Sequence, residues 1–172
     1  LGSAGDVRPA QASPLAEKYF GAISRRETPP RPDVSEPLNI AEKRKTQGDA
    51  LAKLPAIAVG WKMPARGTPD HAPMVVLGEL LAGGDASRLY QSLVKGSQQA
   101  LQLESFTGAG SPWEFDGPAL FTVLAIYKQT ATADQLLASI DVEIAKIAKD
   151  GVDDATLQSI KTRMLAQWYD GL

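Results

Sequence analysis

Apolar positions recur along the chain at two periods, near 3.6 and 2.0, and the switches between them mark out the elements. Leu15, Tyr19, Phe20 and Ile23 fall at helical spacing. Asp6 is placed to cap a helix over about 7–23, and Pro9 suits its first turn. Pro14 further in moves the expected start to near Ser13, and Gly21 loosens the end. In ETPPRPDVSEP, the prolines Pro29, Pro30, Pro32 and Pro37 force an extended surface connector, read here as a linker within a domain. Two strands are expected next. The first is Leu38–Lys45; the second is PAIAVGWKMP, with Ile57, Val59, Trp61 and Met63 alternating onto one face.

After the turn GTPD, a helix from Asp70 to about Ala82 carries Met74, Leu77, Leu80 and Leu81 as its buried stripe, and a second runs from Ala86 to about Lys95. Leu101–Gly108 and Leu120–Tyr127 read as an antiparallel pair joined by the turn-rich GAGSPWEFDGP. ATADQLLASIDVEIAKIAKDG is a helix with Leu136, Leu137, Ile140, Ile144 and Ile147 on one face and Gly151 as its stop. Asp153 caps a last helix that buries Leu157, Ile160, Met164, Leu165 and Trp168. This order predicts a two-layer α+β fold, a mostly antiparallel sheet with helices packed on one face, in a single domain over residues 1–172.

Composition narrows the function classes. At 172 residues the chain is long enough to bury a core of its own. A net charge of −2 with no basic stripe gives no electrostatic case for nucleic acid. The absence of cysteine excludes disulfides and thiolate metal sites. No apolar run approaches the ~20 residues that span a bilayer. The opening LGSAGDVRPAQASPLAEKYFG lacks Met and the order of a signal peptide, so the chain reads as a domain excised from a longer protein, with any targeting signal upstream.

The glycine pair in LLAGGDASRL invites a phosphate-loop reading. That chemistry needs G-x-x-x-x-G-K-[ST], or G-x-G-x-x-G after a strand, whereas these glycines follow a helix. Gly83 stops one helix and Asp85 or Ser87 caps the next, making Gly83, Gly84, Ser87 and Arg88 a structural corner. His71 is the one histidine, beside Asp70 at a helix start where both are expected to be solvated. Zinc needs several converging ligands, which a lone histidine cannot supply. Nothing in the sequence links His71 to Ser87 or Ser92 as a nucleophile. Asp153 and Asp154 read as cap and first-turn charge. Glu114 and Asp116 read as acids of a solvated turn, while Trp113 and Phe115 beside them either tuck under the loop or present a contact surface. The residues alone display no active site.

The order of the segments says more. GDVRPAQASPLAEKYFGAI, a proline-rich link, PAIAVGWKMP, LLAGGDASRLYQSLV and a terminal DGVDDATLQSIKTRMLAQ together resemble the pitrilysin family of zinc metallopeptidases over nearly the whole chain. The resemblance implies a clamshell of two halves, each made of two similar α+β domains. The first domain of the catalytic half carries H-x-x-E-H; two histidines and a distant glutamate bind zinc, and the motif glutamate activates water. This chain has no such motif. The resemblance therefore implies the second, non-zinc domain of a half, with no cofactor of its own and zinc in the parent's upstream domain. The implied partners are that upstream domain, a second pitrilysin-type half on the same chain or a separate subunit, and a peptide substrate.

In the family's non-catalytic half, the equivalent domain carries an Arg and a Tyr seven residues apart that hold substrate. Val94 and Leu101 stand at those positions here. The departure points to the second domain of the catalytic half or to a degenerate partner subunit, and Arg88 then reads as a structural guanidinium that caps or pairs locally. The expected function is the non-catalytic structural and substrate-chamber domain of a zinc metalloendopeptidase. The alternatives are an assembly or peptide-binding module from a catalytically inactive family member, and an unrelated small-ligand α+β domain. Similar bacterial proteins are often periplasmic, which makes the periplasm the expected compartment and the cytoplasm the alternative.

Overall fold

A computed structural model describes residues 5–37, 39–108, 112–113 and 119–171. Its contacts form two units, Leu1–Asp33 and Val34–Leu172, with the break inside the proline-rich connector.

In the first unit, helix α1 runs Pro9–Phe20. Arg8 takes the N-cap position with extended backbone and no side-chain cap bond, so Asp6 does not cap it. Pro9 starts the helix because its fixed φ is already helical and its missing N–H would have no partner there. Pro14 lies inside and does not delay the start to Ser13; it forfeits one hydrogen bond of the ladder. No residue of α1 is buried, and Leu15, Tyr19, Phe20 and Ile23 are all exposed.

The second unit is built on a three-stranded antiparallel sheet of β1 (Ala56–Lys62), β2 (Ala100–Thr107) and β3 (Leu120–Tyr127), in the order β1-β3-β2. The expected strand Leu38–Lys45 does not form among its described residues; Leu38 itself lies outside them. Ile40 is fully exposed, and the segment after it is charged rather than alternating, with Arg44 drawn to Glu42 and to Asp134 at 2.7 Å. A strand with nothing to bury gains little from pairing.

One face of the sheet carries Ile57, Val59 and Trp61 of β1, Phe121, Val123 and Ala125 of β3, and Leu103 of β2. These meet α2 (His71–Ala82) and α3 (Ala133–Asp150) in a single apolar cluster that includes Val75, Leu81, Leu89, Leu93, Leu136 and Ile140. Trp61 is half-buried and stacks on Phe121, ring centres 5.8 Å apart. Thr132 and Gln135 close a reciprocal capping box at the start of α3. Gly151 ends it at φ 72°, a conformation that favours glycine.

The second expected helix differs in form. It begins at Arg88 and winds as a π-helix over Tyr90–Gly96, with Ser97 N–H donating five residues back to Ser92 at 2.8 Å. Helix α4 (Asp154–Asp170) is capped by Asp153, whose carboxylate accepts the Thr156 N–H and hydroxyl, both at 2.8 Å. The backbone bond first, then the hydroxyl, holds that carboxyl below the usual aspartate range. Ile160 of α4 is buried and Leu157 and Met164 are half-buried, but Leu165 and Trp168 are exposed, contrary to expectation. Leu165 points about 140° round the helix from Ile160, and Trp168 lies about two turns beyond it.

Candidate functional site

At the glycine pair the chain leaves α2 at Gly83 and resumes a helix at Arg88, with no side-chain cap from Asp85 or Ser87 among the described residues. A Cβ on Gly83 would lie 2.6 Å from the Glu79 carbonyl oxygen, and Gly84 has φ +79°. Space therefore favours glycine at 83 and backbone conformation favours it at 84, where a Cβ would meet nothing. Ser87 is buried and its Oγ has no partner among the described residues. Arg88 is exposed at the start of the next helix, and its guanidinium makes no hydrogen bond or ion pair among the described residues. The local pairing expected of it is absent there.

His71 departs from expectation. It is buried rather than solvated, with Nδ1 3.0 Å from the Pro64 carbonyl oxygen and Nε2 3.0 Å from that of Pro112. Trp113 meets the ring edge-on at 5.6 Å and packs against the core, so this aromatic faces inward. Glu114, Phe115 and Asp116 lie outside the described residues. With both ring nitrogens facing backbone oxygens, His71 is neither a base for Ser87 or Ser92 nor a free ligand. Among the described residues no three His, Asp or Glu side chains converge on a point that could hold a metal. The donor set does not fit a pitrilysin-type zinc site.

Val94 is half-buried against the core and Leu101 is exposed beside a register shift in β2, so neither offers a polar group to a ligand. Among the described residues, no helix is long and apolar enough to cross a membrane.

The arrangement that does offer a surface is the other side of the sheet. Ala56, Ala58 and Gly60 of β1 stand opposite Ile126, Leu124 and Thr122 of β3, which in turn oppose Gln102, Glu104 and Phe106 of β2. All six outer residues are exposed, as is Leu120, while Thr122, Leu124 and Ile126 are half-buried. The result is an apolar ridge along β3, a shallow small-residue shelf on one flank and a polar-aromatic flank on the other. An extended chain laid on such a face places alternate side chains against it. The sequence held a signal for this: LFTVLAIY is apolar at both parities, the pattern of a central strand with two faces to cover.

At the edge of this face, a groove of about 600 Å³ is bounded by the glycine corner, β2 and α4. Glu79 of α2 and Arg163 of α4 pair across it at 2.8 Å, both about one-third exposed. Ser105 Oγ donates to the Ala82 carbonyl at 3.0 Å and ties β2 to the end of α2.

A family model described as the peptidase M16 inactive domain matches residues 1–164. The zinc protease PqqE of Helicobacter pylori is 24% identical over 170 residues, which are 98% of this chain but 37% of that protein. The crystal structure of a protease from H. pylori superposes with a TM-score of 0.78 at 24% identity, covering 96% of this chain and 39% of that one. An inactive peptidase domain from Bordetella parapertussis gives 0.57 at 21% identity, covering 67% and 60%. The chain thus spans well under half the length of the H. pylori relatives it matches.

Proposed function

This chain belongs to the peptidase M16 inactive-domain family, and from that premise we propose that it is the non-catalytic, substrate-chamber domain of a zinc metalloendopeptidase. In this reading zinc and the water-activating glutamate lie in an upstream domain of the longer protein. This domain packs beside that one and, with a second half, closes a chamber around a peptide. The observation that carries the proposal is the open sheet face. An apolar ridge flanked by Phe106 and an alanine–glycine shelf is a surface made to be covered intermittently by an extended chain.

The test is Phe106→Ala in the full-length protein. Phe106 is 47% exposed, so an occupant would bury about half of a side chain worth roughly 1.5–3 kcal/mol when fully buried. The kcat/KM for a quenched peptide should fall about three- to tenfold at a temperature well below the unfolding transition, where the roughly 1 kcal/mol lost from the buried half of the ring leaves the protein folded. The assembly-module alternative draws on the same face. It predicts instead that Phe106→Ala weakens association with the partner half and leaves a pre-formed complex's peptide turnover intact.

A further inference from the structure

Resting on the reading that the open sheet face meets a peptide, we propose that this face selects extended peptides carrying a lysine or arginine among apolar side chains, and that Glu104 makes the selection. The open side of the strands presents two charged groups, Lys62 and Glu104. Lys62 is neutralised: its ammonium lies 3.1 Å from Glu36 and donates to the Pro37 carbonyl at 2.6 Å. Glu104 meets only the uncharged amide of Gln102 among the described residues, and it is exposed. Among the described residues its charge is the uncompensated one on that face.

The adjoining groove reinforces that sign. Of its four charged lining residues, Glu79 and Arg163 cancel as a pair, leaving Asp85 and Glu104 without a cation among the described residues. An extended peptide over the sheet sets alternate side chains down. The apolar ones find Leu120, Leu124, Ile126 and Phe106; one that lands beside β2 reaches Glu104. A cation there is attracted and a carboxylate repelled. Because both acids are exposed, the attraction costs little desolvation but is modest, about two- to fivefold in affinity per pair, and shrinks with salt.

The test uses the full-length protein, held inactive by a chelator, and dye-labelled apolar peptides identical except for Lys or Glu at one central position. Fluorescence anisotropy gives both affinities at low and physiological salt. The Lys peptide should bind about two- to fivefold more tightly than the Glu peptide at physiological salt, and by a wider ratio at low salt. Glu104→Gln should remove most of the difference, and Glu104→Lys should invert it. Equal affinities in the unaltered protein, or a Lys preference that survives Glu104→Lys, overturn the selection. Failure of the underlying reading looks different: neither peptide binds, or both bind and Phe106→Ala changes neither affinity. Either result removes the open face as the site, and the proposal with it.

Discussion

Gly78 offers a sharp test of how the helices sit on the sheet. It lies inside α2 and is buried, where Gly→Ala should add about 1 kcal/mol through helix propensity alone. The structure opposes that gain. A Cβ built there would lie 2.9 Å from Cε2 and 3.1 Å from Cδ2 of Phe121. That ring is 2% exposed and stacked on Trp61, so it has little room to retreat. Overpacking of this kind costs about 1–3 kcal/mol, and the net expectation for Gly78→Ala is a loss of about 0–2 kcal/mol.

A double-mutant cycle with Phe121→Leu isolates the contact. On the smaller background Gly78→Ala should become neutral or stabilising, giving a coupling of about 1–2 kcal/mol. Urea unfolding followed by far-UV circular dichroism measures all four corners of the cycle. If Gly78→Ala alone raises stability by the full propensity gain, α2 does not pack on Phe121 and the core assignment is wrong.

Four further outcomes follow from the geometry. Leu80, 5% exposed, should cost about 2–5 kcal/mol on truncation to Ala, and the half-buried Ile144 less, both read by urea unfolding. Gln98 is the one described non-glycine residue at positive φ, 53°; Gln98→Gly should relieve that and raise stability by up to about 1 kcal/mol, read as a higher melting temperature. Asp153, whose folded carboxyl is held low, contributes stability that is present above the ordinary aspartate range near pH 4 and lost as pH falls through the folded value; Asp153→Asn should flatten that acid limb in a pH series of melting curves. Arg88→Ala should shift stability by less than about 0.5 kcal/mol, since the exposed guanidinium has no partner among the described residues.

Local chemistry was legible where it decides structure. The Asp153 cap and the alternation of Ile57, Val59 and Trp61 are visible in the sequence, because each depends on neighbours a few residues away, whereas the equally local Thr132–Gln135 capping box emerges only in the structure. Gly83 as the end of α2 was legible too, but no cap from Asp85 or Ser87 follows it among the described residues. What failed depended on distant partners. His71 turned inward because Pro64 and Pro112, on segments far apart in sequence, both face it. Gly78 gives no sequence sign of the ring above it. Leu165 and Trp168 fit a helical stripe that continues past the core it was meant to cover. The expected strand over Leu38–Lys45 fails because its charged second half has nothing to bury. The open face was readable only in retrospect, from a strand apolar at both parities.

The central claim is that this is a domain of a zinc peptidase family that holds no zinc itself. The most direct measurement is the metal content of the purified chain after dialysis against micromolar zinc, by atomic emission, alongside far-UV circular dichroism to show that it is folded. The account predicts far less than one zinc per folded chain, because His71 faces two backbone oxygens and, among the described residues, no other donors converge on it. One tightly retained zinc per chain, lost on His71→Ala, would contradict it.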